Sequence, residues 1–165
     1  MLQHFQHTQP TRLLADASRL RGLGYALMQL HEEQWKLVQC ISRFLSDAET
    51  RYAPCKLEML AICWAAQKCK LYLHGLGYFD VITDHRPQLP ILNTYTLDQI
   101  DNPRLQRLKQ KLAMFTFTAI WNKGQHHIIQ DVLSRAPIRE PGGREQLAEQ
   151  DLVGFKEQYM IACIQ

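Results

Sequence analysis

The chain has no apolar run approaching the roughly 18 residues of a membrane span. Its polar, His- and Gln-rich start, Met1 to Pro10, does not read as a signal peptide. None of its five cysteines, Cys40, Cys55, Cys63, Cys69 and Cys163, forms a C-x-x-C pair. An odd count without metal spacing argues against a disulfide framework and points to reduced, mostly buried thiols in an intracellular, reducing compartment. Cys69, His74 and the His126–His127 pair are poorly spaced for zinc, so metal chemistry here would use oxygen ligands. There is no internal repeat and no low-complexity tract. Net charge is small, +3, too little by itself to demand a polyanionic partner. What remains is an ordinary soluble composition, 46% hydrophobic and 21% charged over 165 residues, which fits one domain with a sizeable core.

Taken in order, Arg12 to Ala15 reads as a short strand running into Asp16, with small neighbours Ala15, Ala17 and Ser18. Gly22 and Gly24 mark a turn. Leu23 to Leu30 is apolar on both faces, as in a strand buried from both sides. His31-Glu-Glu-Gln34 makes a polar hairpin turn, and Trp35 to Ser42 a third strand, which completes an antiparallel meander. After a loop from Arg43 to Ala53, Pro54 suits a helix start. Leu57 to Leu73 is the clearest helix, with Leu57, Leu60, Ala61, Trp64 and Leu71 as its buried stripe and Gly75 as its C-cap. Phe79 to Thr83 is a fourth strand, followed by Asp84 and His85. Pro87 and Pro90 force a turn or a very short helix, Tyr95 to Pro103 is a loop, and Arg104 to Met114 is a basic helix. Phe115 to Trp121 alternates as a half-buried strand. After a turn around Gly124, a last helix starts near Ile128, carries Asp131 in its first turn and stops by Pro137. Residues 138–143 read as a linker, and Glu145 to Gln165 as a further helical extension.

Each acid has an everyday explanation. Asp16 is either a turn residue closing its strand or a cation ligand. Glu58 lies about 100° round the helix from Leu57, at the margin of the buried stripe, where a partner for the helix dipole is the ordinary reading. Taken together they carry more. If the first and fourth strands are parallel neighbours, Asp16 and Asp84 leave the sheet at the same edge, where open α/β sheets bind ligands. The helix after the meander can bring Glu58 there, and the last helix Asp131. Four converging carboxylates repel one another, and Mg²⁺ or Mn²⁺ relieves that repulsion.

A series of motifs, in order, resembles one family. They are Leu14-Ala-Asp-Ala-Ser18 with Gly22-x-Gly24, Ser42-Arg-Phe-Leu45, Ala48-Glu-Thr-Arg-Tyr52 and Glu58-Met-Leu-Ala61. They continue with Tyr72-Leu-x-Gly75, Thr83-Asp-His-Arg-Pro87, Ile91-Leu-Asn93, Asn102-Pro-Arg-Leu-Gln-Arg107 and Asp131-Val-Leu-Ser-Arg135. From about Pro10 to Pro137 the chain resembles the RNase H domain of the reverse transcriptase polyprotein in gypsy-type LTR retrotransposons. The resemblance implies an α/β fold of the RNase H type: a five-stranded mixed sheet, an antiparallel three-strand meander plus parallel strands, with helices on both faces. It implies hydrolysis of the RNA strand of an RNA–DNA hybrid with two Mg²⁺ (or Mn²⁺) ions. It makes Asp16, Glu58, Asp84 and Asp131 the catalytic and metal-binding acids.

The same resemblance makes residues 1–10 a remnant of the connection to a polymerase domain, 11–137 the RNase H-like domain and 138–165 a linker with a helical extension. Polymerase and integrase domains of the same polyprotein are the implied partners, with no membrane, and a cytoplasmic retrotransposon particle is the implied location. Lys56 stands where the family usually has a second Glu, Gln130 replaces Ala or Pro before the last Asp, and Val132 replaces Ala. Between Asp101 and Arg135 six Lys/Arg face two Asp, a local +4 suited to phosphates. Arg104, Arg107, Lys109 and Lys111 are therefore candidate substrate contacts, beside Ser18 near ribose hydroxyls and His127 in the last connection. Two rivals use the same fold: a catalytically silent binding or spacer module, and a nuclease or integrase acting on DNA.

Overall fold

The computed structural model describes residues 4–20 and 22–123. The chain forms β1 (Thr11–Ser18), β2 (Gly22–His31), β3 (Gln34–Arg43), β4 (Phe79–Thr83) and β5 (Phe117–Trp121). They lie in one sheet in the order β3-β2-β1-β4-β5. The first three strands are the expected antiparallel meander, and β4 runs parallel to both β1 and β5. Gly22 to Leu27 is buried throughout, as two-sided apolar patterning requires. The β2–β3 hairpin turns on Glu32 and Glu33, both at positive φ (52° and 64°). That is the backbone of a type I′ turn, held at a cost of about 1 kcal/mol per left-handed L-residue with Lys36 Nζ 2.9 Å from Glu32 Oε2.

Two details of the sequence reading change at the start of the sheet. Asp16 does not close β1. It lies inside the strand, paired across to Gly24, so Gly24 belongs to β2 and not to the turn. A residue without a side chain therefore faces the acid from the neighbouring strand. Of the two glycines, Gly22 has the turn geometry, at φ 109°.

Helix α1 (Pro54–Lys68) begins on Pro54 as expected. It ends at Cys69, whose φ of −88° and ψ of 10° separate it from the short α2 (Lys70–Leu73); the expected helix to Leu73 is thus two helices, with Gly75 at φ 91° just beyond. Its buried face comprises Leu57, Ala61, Ile62, Ala65, Ala66 and Cys69, with Met59 and Cys63 also inside. The small residues among them let the helix approach β1 and β2 closely. Leu71 is 92% exposed and leaves the stripe, because the break at Cys69 changes the helical phase.

Helix α3 (Leu89–Asn93) packs on β5, and α4 (Pro103–Leu112) on α1. The loop before α4 holds one 3-10 turn, Leu97–Gln99. Core residues Leu13, Ala15, Tyr25, Leu27, Val81 and Ala119 of the sheet join Leu57, Ile62, Leu105 and Leu108 in one cluster. Those strand residues share a face by register, so the described helices cover one side of the sheet. The helix expected on the other side, from Ile128, lies outside the described residues, as does everything expected of residues 124–165.

The segment before Thr11 is part of this body. Phe5 packs 5.1 Å from the Tyr72 ring. The Gln29 side chain, 0% exposed, accepts from Gln6 N–H (2.9 Å) and donates to Gln6 C=O (2.8 Å) and Thr11 Oγ1 (2.9 Å). Several of the motifs prove to be clasps. Arg43 makes a two-pronged pair with Glu49 (2.7 and 2.8 Å), which closes the loop between β3 and α1 and holds the Glu49 carboxyl below its usual pKa. Asn93 exchanges two 2.8 Å hydrogen bonds with the Ala119 backbone at the edge of β5. Asn102 caps α4 by accepting from Arg104 and Leu105 N–H.

Candidate active site

The register of two parallel strands brings the first acids together. The last β1–β4 partners are Leu14 and Ile82. Asp16 and Asp84 each follow by two residues, so they occupy matching positions where the pairing stops. Neighbouring strands are about 4.8 Å apart, which sets the scale of their separation. Helix α1 crosses β1 and adds Glu58 from its second turn. One carboxylate oxygen from each of Asp16, Glu58 and Asp84 lies within 4.8 Å of the others. Asp84 is exposed, and the other two are half-buried.

Glu58 feels the convergence most. Burial, followed by the charges of Asp16 and Asp84, pushes its carboxyl up to about 9, against a hydrogen bond from the Ala17 main chain that favours the ionised form. Its Oε2 is buried without a hydrogen-bond partner among the described residues. A shielded carboxylate oxygen with no donor is costly. A cation among the three acids would remove both that cost and their mutual repulsion. The donors are all carboxylate oxygens, the set that suits a hard ion such as Mg²⁺ or Mn²⁺. The residues present therefore fit a divalent metal.

The corner bearing Asp84 is held from several directions. His85 N–H donates to Thr83 Oγ1 (3.1 Å), and Asn122 N–H to Thr83 C=O (2.9 Å). Trp121 Nε1–H donates to Asp84 C=O (3.1 Å). Four residues past Asp84, fully buried Gln88 donates to Cys55 C=O in the first turn of α1 (2.9 Å). That bond ties the segment after Asp84 to the helix carrying Glu58.

The other expected site residues divide. Ser18 ends β1 opposite Gly22, two residues from Asp16. Arg104 is exposed, with its guanidinium 4.4 Å over the Tyr52 ring. Arg19, which nothing in the sequence singled out beyond its place after Ser18, donates to Tyr52 C=O (3.1 Å). Two guanidinium groups thus meet at Tyr52, shortly before α1. Arg107 and Lys111 are exposed on α4, and none of these four basic side chains pairs with a carboxylate among the described residues. Lys109 departs from the expectation of a phosphate contact. Its Nζ donates to the carbonyls of Ile91 and Tyr95, tying α4 to the end of α3, and burial lowers its pKa. Asp131 and His127 lie outside the described residues. Cys55, Cys63 and Cys69 are free thiols, and among the described residues no helix is long and apolar enough to cross a membrane.

Comparison with known proteins agrees with this fold. The chain matches the family model of the RNase H-like domain found in reverse transcriptase over residues 6–115. It is 33% identical over 130 residues to the retrovirus-related Pol polyprotein from transposon opus of Drosophila melanogaster, covering 79% of this chain and 12% of that one. It is 30% identical over 135 residues to the Pol polyprotein from transposon gypsy of the same organism, covering 82% and 12%. The chain thus spans about an eighth of the length of these relatives. Among solved structures, RNase H1 from Halobacterium salinarum superposes with a TM-score of 0.55 at 14% identity, covering 75% of this chain and 93% of that one. The foamy viral protease-reverse transcriptase in complex with RNA/DNA hybrid gives 0.55 at 14% identity, covering 87% and 19%. Those superpositions establish the RNase H fold, and with the family match over most of its length the chain belongs to the RNase H-like domains found in reverse transcriptase.

Proposed function

We propose that this domain is a divalent-metal-dependent ribonuclease H, which hydrolyses the RNA strand of RNA–DNA hybrids as a module of a gypsy-type retrotransposon polyprotein. One observation carries the reading: Asp16, Glu58 and Asp84 converge within 4.8 Å around a buried Glu58 oxygen that no donor among the described residues satisfies. A cluster of this kind destabilises the fold unless a cation occupies it. Asp16, Glu58 and Asp84 hold the metal, with Asp131 as the fourth ligand. Two divalent ions, when bound, supply an activated water and neutralise the leaving oxygen in phosphodiester hydrolysis.

The protein's own part is to fix three oxygens at one sheet edge and to position the substrate. Matching register orients Asp16 and Asp84, and α1 delivers Glu58 from the side. Arg19, Arg104, Arg107 and Lys111 supply positive charge for phosphates, with Ser18 near the scissile strand. The RNA/DNA hybrid in the foamy viral protein of the same fold supports the same substrate class here, and the likeness to far longer Pol polyproteins supports polymerase and integrase domains as covalent partners. A cytoplasmic particle is the corresponding location. Hydrolysis leaves a 3′-hydroxyl and a 5′-phosphate.

The test is cleavage of a labelled RNA–DNA hybrid. The wild-type chain is expected to cut the RNA strand in Mg²⁺ or Mn²⁺, and Asp84→Asn to lose at least 100-fold in rate, of the order seen when one charge-stabilising group is removed. Well-folded protein that cuts in neither metal contradicts the proposal. Hybrid binding without cutting, unchanged by Asp16→Asn, would favour a silent binding module, and equal cutting of duplex DNA a DNA nuclease.

A further inference from the structure

We infer that Trp121 is a positioning residue for the metal ligand Asp84, acting through its indole N–H; the inference rests on the metal-binding reading above. Of the three converging acids, Asp84 is the exposed one, so packing constrains it least. Glu58 is carried by a fifteen-residue helix and Asp16 lies within a paired strand. Asp84 follows the last residue of β4, with no strand pairing of its own. Hydrogen bonds must therefore hold its backbone.

Trp121 is placed to do this. It is the last residue of β5 and pairs in parallel register with Thr83. From there its side chain reaches one residue ahead, and Nε1–H meets Asp84 C=O at 3.1 Å. Core packing does not account for the residue. Ala119, two positions earlier on the same face, is buried, but Trp121 is 42% exposed. The Arg86 guanidinium, 5.6 Å from the ring centroid, stacks over the indole and restricts its swing. Asn122 N–H on Thr83 C=O holds the preceding residue, and the peptide joining Asp84 to His85 is held at both ends, its N–H by Thr83 Oγ1 and its C=O by Trp121. A peptide plane held at its carbonyl cannot rotate freely, and its rotation is what would swing the carboxylate out of the cluster. Groups that orient a metal ligand in this way typically affect metal affinity by about 10–100-fold.

The experiment measures Mn²⁺ binding calorimetrically to the full chain, with thermal unfolding in parallel. Trp121→Phe keeps the ring and the strand but removes the donor. It is expected to weaken Mn²⁺ binding on the order of tenfold while unfolding close to the wild-type temperature. Ile120→Ala, on the opposite face of the same strand, is expected to lower the unfolding temperature and leave Mn²⁺ affinity within twofold of wild type. A companion reading needs no variant fold. In the wild-type protein, the indole N–H resonance of Trp121 should shift on Mg²⁺ titration, and those of Trp35 and Trp64 should not. Mn²⁺ affinity of Trp121→Phe within twofold of wild type, or equal weakening in Ile120→Ala, overturns the inference. A Trp121 resonance that stays still while the wild type binds metal overturns it too. Wild-type protein that binds no divalent metal overturns the metal reading itself, and the inference with it.

Discussion

Glu58→Gln is expected to abolish metal-dependent cleavage, by on the order of 10³-fold, and at the same time to stabilise the metal-free protein. The two effects share one cause. The folded state raises the Glu58 carboxyl from 4.5 to about 9, through burial first and then the neighbouring Asp16 and Asp84. Between those values the unfolded chain carries Glu58 ionised, while the folded chain keeps it protonated. Folding then takes up a proton, so stability of the metal-free protein falls as pH rises through this window, with a slope of at most about 1.4 kcal/mol per pH unit. Below about pH 4.5 the penalty vanishes, because both states are protonated. Glutamine does not titrate. Its advantage over wild type should therefore be negligible near pH 4 and grow steadily toward pH 9.

Urea unfolding of both proteins in a chelator across that range measures the difference, in which contributions from groups not coupled to Glu58 cancel. Adding a divalent cation should stabilise the wild type by mass action and the variant far less. Two unfolding curves that track each other at every pH would remove the argument that the cluster is strained for function.

Gly22→Ala is the substitution expected to damage the fold most. Gly22 opens β2 at φ 109°, a conformation that L side chains rarely adopt. A Cβ there would lie 2.0 Å from Arg43 C=O oxygen, 3.0 Å from its carbon and 3.1 Å from Phe44 Cα. All three are backbone atoms, so no rotamer change relieves the clash. The end of β3 cannot easily retreat either, since Arg43 is locked to Glu49 and stacks 5.3 Å from the Trp64 ring. Strain and overlap together should cost about 3–4 kcal/mol, a large part of the ~5–15 kcal/mol that holds a typical domain folded. The urea midpoint reports it. A shift no larger than the ~0.5 kcal/mol of an ordinary surface change would mean that the close approach of β2 to the end of β3 is misplaced. Because Gly22 pairs with Ser18, two residues beyond Asp16, the same variant should also disturb the acid cluster.

Much of this was legible in the residues. The two-sided apolar run from Leu23 to Leu30, the polar His31–Gln34 turn and the short connections reveal the meander, and acids recurring beside strand and helix boundaries mark the edge where they meet. From the residues the convergence was legible only as a conditional, and otherwise through the family resemblance, since it follows from the parallel register of Leu14 with Ile82, a long-range pairing that no local pattern encodes. Asp16 reads as a strand terminator because Asp disfavours strands; a partner without a side chain, Gly24, lets the strand continue. Lys109 reads as a surface cation because its helix is basic, but its neighbours at Ile91 and Tyr95 come from another element. The same holds for Arg43 with Glu49 and for Trp121 with Asp84. Each pair spans a loop or a crossover, and composition is silent on which residues a crossover brings together.

Everything proposed here for the site requires that Asp16, Glu58 and Asp84 bind a divalent cation. Anomalous diffraction from crystals soaked in Mn²⁺ tests it directly. A peak is expected that is bounded by oxygens of all three residues, at roughly the 2.0–2.2 Å of a small hard cation and its carboxylate ligands. The absence of any peak among the three carboxylates, in crystals that diffract well and bind Mn²⁺ elsewhere or not at all, would contradict it.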